Sequence, residues 1–168
     1  MDNNSVLMYY RVSDEPLDSG HLDQRVLVWL MSAFESVVKV VKEWQPAALP
    51  SELKYRDSLT ALLREWLKDA KIEKEYRHAG TTTDIYVKES GFFGSTEVFI
   101  ELKRDFLQKA QFNRLVGQIE DLQPEKHNIL VILCGETNPA LVARFKENYG
   151  LNAFRIGPMM EVTVMART

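Results

Sequence analysis

Apolar residues recur along this chain with two different periods, and the switch between them divides it into elements. From residue 22 to 44, Leu27, Leu30, Met31, Phe34, Val37, Val38 and Val41 fall three and four apart, which predicts a long amphipathic helix ended by Gln45-Pro46. After a short linker, Ser51 reads as an N-cap with Glu52 in the first turn. Tyr55, Leu59, Leu62, Leu63, Trp66 and Leu67 carry a second helix to about Ala70. The texture then shortens. Ile72 to Tyr76, Thr82 to Val87 and Thr96 to Leu102 read as three strands, with turns at Gly80 and around Ser90-Gly91 and Gly94. The first of them alternates only weakly.

Helical spacing returns over 105–122, through Phe106, Ala110, Phe112, Leu115, Val116, Ile119 and Leu122, and Pro124 closes it. Asn128 to Cys134 is almost unbroken apolar sequence, the mark of a strand covered on both faces. Asn138-Pro139 opens another helix to about Tyr149, and the tail carries short strands at Ala153 to Ile156 and Glu161 to Met165. Before the first helix, Val6 to Tyr10 reads as a short strand followed by a loop. The order is helix, helix, three strands, helix, strand, helix, strand. A strand meander followed by a helix and a buried strand predicts an α/β fold with a mixed sheet between helices.

The 168 residues make one domain's worth of chain, and 45% apolar with 27% charged residues is the composition of an ordinary globular protein. The expected organisation is a core over 51–168, with 1–50 packing on it. The net charge of −3 gives no basic signature of nucleic-acid binding, yet it does not argue against metal-dependent chemistry on phosphates, which needs acidic ligands. Cys134 is the only cysteine, so no intrachain disulfide forms, and a cytoplasmic setting is expected. Its place in an apolar run reads as core. Met1-Asp2-Asn3-Asn4 lacks the basic start and apolar stretch of a signal peptide, and no run approaches the ~20 residues of a membrane span.

One constellation carries chemistry. Asp84 stands in the second strand, and seventeen positions later comes Ile100-Glu101-Leu102-Lys103. Two residues apart in a strand, Glu101 and Lys103 share one face, with Ile100 and Leu102 on the other. A hairpin between the two strands brings Asp84 beside Glu101. Two carboxylates can hold a hard divalent cation through oxygen, and the cation activates water and polarises a phosphoryl group. A lysine beside it can orient or deprotonate the water, or stabilise the transition state. Taken alone, Glu-x-Lys in a strand occurs by chance and reads first as a cross-strand ion pair on a solvated face. The apolar opposite face, the acid across a glycine-bearing turn and the following helix and buried strand make the combination far more specific.

Over roughly residues 51–135 these features resemble the PD-(D/E)XK nuclease superfamily, which includes restriction endonucleases, Holliday-junction resolvases and many repair, phage and defence nucleases. The resemblance implies a restriction endonuclease-like α-β-β-β-α-β core, with Asp84 and Glu101 as metal ligands, Lys103 as the catalytic lysine, and Mg2+ as cofactor with Mn2+ substituting. Thr83 stands where the family's variable proline would be. Many members add an acid from the helix before the sheet. Here Glu52 fits, and Asp57, roughly 140° away at ~100° per residue, competes with it. Glu52 also reads as a first-turn carboxylate serving the helix dipole. Gln118 matches a glutamine that a subset carries on the helix after the lysine strand, with Leu122 where that subset has tyrosine. An exposed helix glutamine is the bland alternative.

His21, His78 and His127 show no metal-ligand spacing, although His78 precedes Asp84 closely enough to reach a substrate. Arg104, Lys109 and Arg114 could contact phosphate or simply meet solvent, and Phe92-Phe93 reads as a packed turn or a wedge against a base. The function expected is hydrolysis of phosphodiester bonds, in DNA first, with RNA open. The alternative is a non-catalytic module of the same fold, against which the presence of all three central residues argues. The resemblance implies a homodimer, for which the broad apolar stripe of the N-terminal helix offers an interface if it does not pack on the sheet. The absence of an obvious DNA-reading segment favours a separate recognition subunit or a structure-specific substrate.

Overall fold

A computed structural model describes residues 33–78, 80–91, 94–122, 128–149 and 160–164. The expected Val6–Tyr10 and Ala153–Ile156 strands, the first turns of the long helix, His21, His127 and the Phe92-Phe93 turn lie outside the described residues. The elements are α1 (Ala33–Glu43), α2 (Glu52–Trp66), β1 (Lys71–His78), β2 (Thr81–Gly91), β3 (Gly94–Phe106), α3 (Lys109–Leu122), β4 (Asn128–Thr137), α4 (Pro139–Asn148) and β5 (Met160–Val164). This is an α/β fold with the order α-β-β-β-α-β from α2 to β4. The sheet order is β1-β2-β3-β4-β5. β1 to β3 form an antiparallel meander, and β4 and β5 add in parallel, each after a helix.

Each face of the sheet has its own core. On β3, Val98, Ile100 and Leu102 point to the side covered by α1 and α2, where Ile72, Ile85, Val87, Leu130, Ile132 and Cys134 join them. Phe99 points to the other side and meets Tyr86, Ile129, Val131 and Leu133 beneath α3 and α4. β4 is therefore buried on both faces, as its unbroken apolar sequence requires. α1 turns Phe34, Val37, Val38, Val40 and Val41 into the first core. Trp44 closes it, meeting Tyr55 edge to face at 6.1 Å and donating from Nε1 to Ser58 Oγ at 3.1 Å. The Cys134 thiol, buried there, is pushed up to about 12 and stays protonated and unreactive. No helix among the described residues is long and apolar enough to cross a membrane.

Caps fix where the helices start. The Ser51 hydroxyl accepts from Lys54 N, and the Asn138 side chain accepts from Ala140 N and Leu141 N ahead of Pro139. Two boundaries differ from the sequence expectation. α2 stops at Trp66, where Leu67 N–H bonds back to Leu63 O at 2.8 Å and a turn leads into β1. The helix expected from residue 105 begins only at Lys109, because Phe106 belongs to the β3–β4 ladder opposite Thr137. The register shifts between Arg104 and Phe106, where Asp105 takes a positive φ of 51°. The Gln111 side chain then accepts from Leu107 N and Gln108 N, both at 2.9 Å, and starts α3.

The same bulge sets a demand on Gly135. Its φ is +73°, and a Cβ there would lie 2.4 Å from Asp105 Oδ1. That oxygen accepts from Glu136 N at 3.1 Å and has little room to yield. Gly135→Ala is expected to destabilise by about 1–3 kcal/mol. Gly117, in α3 with nothing within 4 Å of its Cβ position, should instead gain about 0.5–1 kcal/mol as alanine. Thermal unfolding of the two variants, read side by side, checks both signs.

Candidate active site

The β2–β3 ladder runs from the pair Gly91–Gly94 to the pair Ile85–Ile100 and stops there. Where the strands part, side chains replace the ladder. Thr83 Oγ1, buried, donates to Ile100 O at 3.1 Å. Asp84 Oδ2 accepts from Leu102 N at 2.8 Å. Asp84 thereby satisfies a strand N–H that β2 no longer reaches, and its carboxylate is fixed beside Glu101. Ile100 and Leu102 anchor this part of β3 in the first core, so Glu101 and Lys103 project together from the other face.

Glu101 is 1% exposed, and neither of its carboxylate oxygens has a hydrogen-bond partner. Burial and then the charge of Asp84 push its carboxyl up to about 8, against the opposing pull of Lys103. This is not the bland surface pair that Glu-x-Lys alone allows. That arrangement exists elsewhere in the same hairpin, as Lys88 Nζ to Glu97 Oε1 at 2.8 Å.

The Lys103 ammonium sits among three carboxylates. It lies 3.6 Å from Glu101 Oε2, 3.9 Å from Asp84 Oδ2 and 3.9 Å from Glu52 Oε1. Glu52 reaches this point from the first turn of α2, and its Oε2 accepts from Arg104 N at 3.1 Å. Arg104 ties the preceding segment down as well, donating from Nη1 to Pro50 O. Asp57, the other acid of that helix, is turned to Lys74 at 2.7 Å.

The structure thus brings Asp84, Glu101, Lys103 and Glu52 together. Gln118 on α3 has a buried Oε1 without a partner, and no hydrogen bond joins it to the carboxylates. His78 sits in an aromatic group instead, 6.2 Å from the Tyr76 ring and 5.5 Å from Phe99. Lys109 and Arg114 are exposed.

Two residues not singled out from the sequence belong to the same neighbourhood. Arg56 Nη1 lies 3.0 Å from Glu75 Oε1 and 3.9 Å from Asp84 Oδ1. Arg56 was findable, because it follows Glu52 by four positions and so shares its helix face. Glu75 was not, since its place depends on a backbone φ of +52° inside a strand.

The donor chemistry suits a hard cation: carboxylate oxygens, two of them buried and unpartnered on Glu101. Among the described residues, however, no three carboxylate, histidine or cysteine side chains are drawn close enough together to enclose one ion. The point between the carboxylates is held by the ammonium.

No protein-family model matches the chain, and no curated protein sequence matches it. Two solved structures do. A repair endonuclease from Pyrococcus abyssi is 14% identical, with a TM-score of 0.44 over 74% of this chain and 50% of that one. EndoMS in its dsDNA2 complex is 15% identical, with a TM-score of 0.41 over 74% and 48%. The chain spans about half the length of each.

Proposed function

We propose that this chain is a metal-dependent nuclease of the PD-(D/E)XK type, acting on phosphodiester bonds in DNA. The observation that carries the reading is the arrangement where β2 and β3 part: Asp84, Glu101 and Glu52 around the Lys103 ammonium, with both Glu101 oxygens buried and unpartnered. A surface ion pair has no reason to bury a carboxylate whose oxygens lack hydrogen-bond donors, because burying polar atoms that way is costly even beside a counter-charge. A site kept for ligand binding does.

In this reading Asp84 and Glu101 are the principal ligands of Mg2+, with Mn2+ as substitute, and Glu52 completes the set. The cation, when bound, supplies an activated water and stabilises charge on the phosphoryl group. The chain's own residues do the rest. Leu102 N–H fixes Asp84 through Oδ2 and so sets the direction of Oδ1. Arg104 N–H fixes Glu52 through Oε2. Lys103, within 4 Å of all three carboxylates, is placed to hold a water or a phosphate oxygen once a cation takes over those charges. Gln118 offers a free acceptor for a water or a nucleotide amino group. A homodimer would bring two such sites to the two strands, and a separate recognition subunit would supply substrate selection.

One observation favours a second reading, a non-catalytic module of this fold: among the described residues no three ligands enclose one point, and the Lys103 ammonium already stands among the acids. Calorimetry with Mn2+ separates the two, combined with a panel of linear, circular, single-stranded and branched DNA and single-stranded RNA. Metal binding weakened by Asp84→Asn, with cleavage of any DNA in the panel, supports the nuclease. Neither binding nor cleavage by the wild-type protein would leave the module. Cleavage confined to RNA would correct the substrate.

A further inference from the structure

The β1–β2 ladder is regular except at one position. Lys74 pairs with Ile85 and Tyr76 with Thr83, and between them Glu75 would face Asp84. A regular pair there would set two carboxylates directly opposite each other, which is unfavourable. Instead Glu75 takes a φ of +52°, a conformation that costs a non-glycine residue on the order of 1 kcal/mol or more. Its side chain turns outward, is mostly exposed, and binds Arg56 Nη1 at 3.0 Å. Arg56 is nearly buried, with a side-chain exposure of 11% and a buried Nε without partner. The same Nη1 stops 3.9 Å from Asp84 Oδ1.

A charge-assisted hydrogen bond closes to about 2.7–2.9 Å, so the guanidinium stands about 1 Å short of bonding Asp84. Asp84 Oδ2 is already committed to Leu102 N–H, which makes Oδ1 its free oxygen. We infer that Glu75 is a positioning residue: it holds Arg56 back from Asp84 and keeps Oδ1 open for the cation. This rests on the metal-site reading above, and its sign is unusual. An exposed acid that binds no metal raises the metal affinity of the site, by occupying a competing arginine. Arg56, released, becomes the inhibitor.

The test is a suppressor experiment. Mn2+ affinity is measured by calorimetry for the wild type, Glu75→Gln, Arg56→Met and the double variant. Glu75→Asn serves as a second form, because asparagine tolerates positive φ. The single Glu75 variants should bind Mn2+ about tenfold or more weaker, the usual scale for losing a residue that orients a ligand. Adding Arg56→Met should restore the affinity, which a merely structural ion pair would not do.

A readout independent of metal accompanies it. In EDTA, the thermal coupling between Arg56→Met and Asp84→Asn is measured with Glu75 present and with Glu75→Gln. It should grow by about 3 °C in Tm when Glu75 is neutralised, as a new Arg56–Asp84 bond forms. An unchanged coupling overturns the inference whatever the metal data show. An increased coupling with wild-type Mn2+ binding untouched by Glu75→Gln overturns the link to the metal site. An increased coupling in a protein that binds no Mn2+ at all supports the restraint on Arg56 and removes the metal reading beneath it.

Discussion

Glu101→Gln is expected to abolish metal-dependent cleavage and, in the absence of metal, to make the protein more stable at pH 8. Both effects come from one carboxylate. Burial and the neighbouring Asp84 charge raise its proton affinity in the fold, to about 8. A group with a raised folded pKa contributes stability that is fully present below its unfolded value, near 4.3. That contribution is lost as pH climbs through the folded value. The metal-free wild type should therefore weaken between about pH 4.5 and 8, where Glu101 must ionise without a hydrogen-bond partner. Glutamine has the same shape and no charge to bury, so the variant lacks this pH dependence. At pH 8 it should exceed the wild type by on the order of 1–3 kcal/mol, after allowing for its own unpartnered amide. Chemical unfolding in EDTA at pH 5 and pH 8 reads the difference. Mn2+ should stabilise the wild type at pH 8 and not the variant, and its binding near pH 7 should release protons, seen as a buffer-dependent heat.

Lys103→Met should have the opposite profile. Three carboxylates lie within 4 Å of its ammonium, and Lys103 is their shared counter-charge. Removing it leaves acids crowded at a site where one of them is buried. Metal-free stability should fall, by about 1–3 kcal/mol once the partial exposure of Glu52 is discounted. The same change removes the competitor of an incoming cation, so Mn2+ should bind the variant more tightly and recover most of the lost stability. Turnover should nonetheless drop by about 10²–10³-fold, the scale for losing one charge-stabilising donor. Tighter metal with slower cleavage would separate Lys103 from the ligands. A ligand variant such as Glu101→Gln loses both together.

These contrasts depend on features that were unequally legible in the sequence. The order of helices and strands could be read, because the periods of α2, α3 and β4 each leave a clear imprint: helical spacing in Leu59 and Leu63, an unbroken run in Ile129 to Cys134. The boundary at Phe106 could not, since its spacing to Ala110 mimics a helix while its actual partner, Thr137, lies in another strand. β1 alternates weakly because it pairs on one side only among the described strands, and just Ile72 is buried on it.

For the site, residue type and spacing were enough to pick Asp84, Glu101 and Lys103 as a group. Spacing could not choose between Glu52 and Asp57, a choice that depends on how α2 is turned against β3. Nor could it show that Lys103 stands among the acids, or that both Glu101 oxygens go unpartnered. Arg56 and Glu75 needed the structure entirely, because a positive φ in the middle of a strand leaves no trace in hydrophobic pattern.

The proposed nuclease depends on the acids at the parting of β2 and β3 holding its metal. The most direct test is cleavage of supercoiled circular DNA in Mn2+, run beside an EDTA control and beside Asp84→Asn prepared identically. Asparagine can still accept from Leu102 N–H, so that variant keeps the strand contact while losing the charge. Nicked or linear product is expected from the wild type in Mn2+, and intact circles in EDTA and with Asp84→Asn. Cleavage that persists in EDTA, or that Asp84→Asn carries out as fast as the wild type, would contradict this role for the acids.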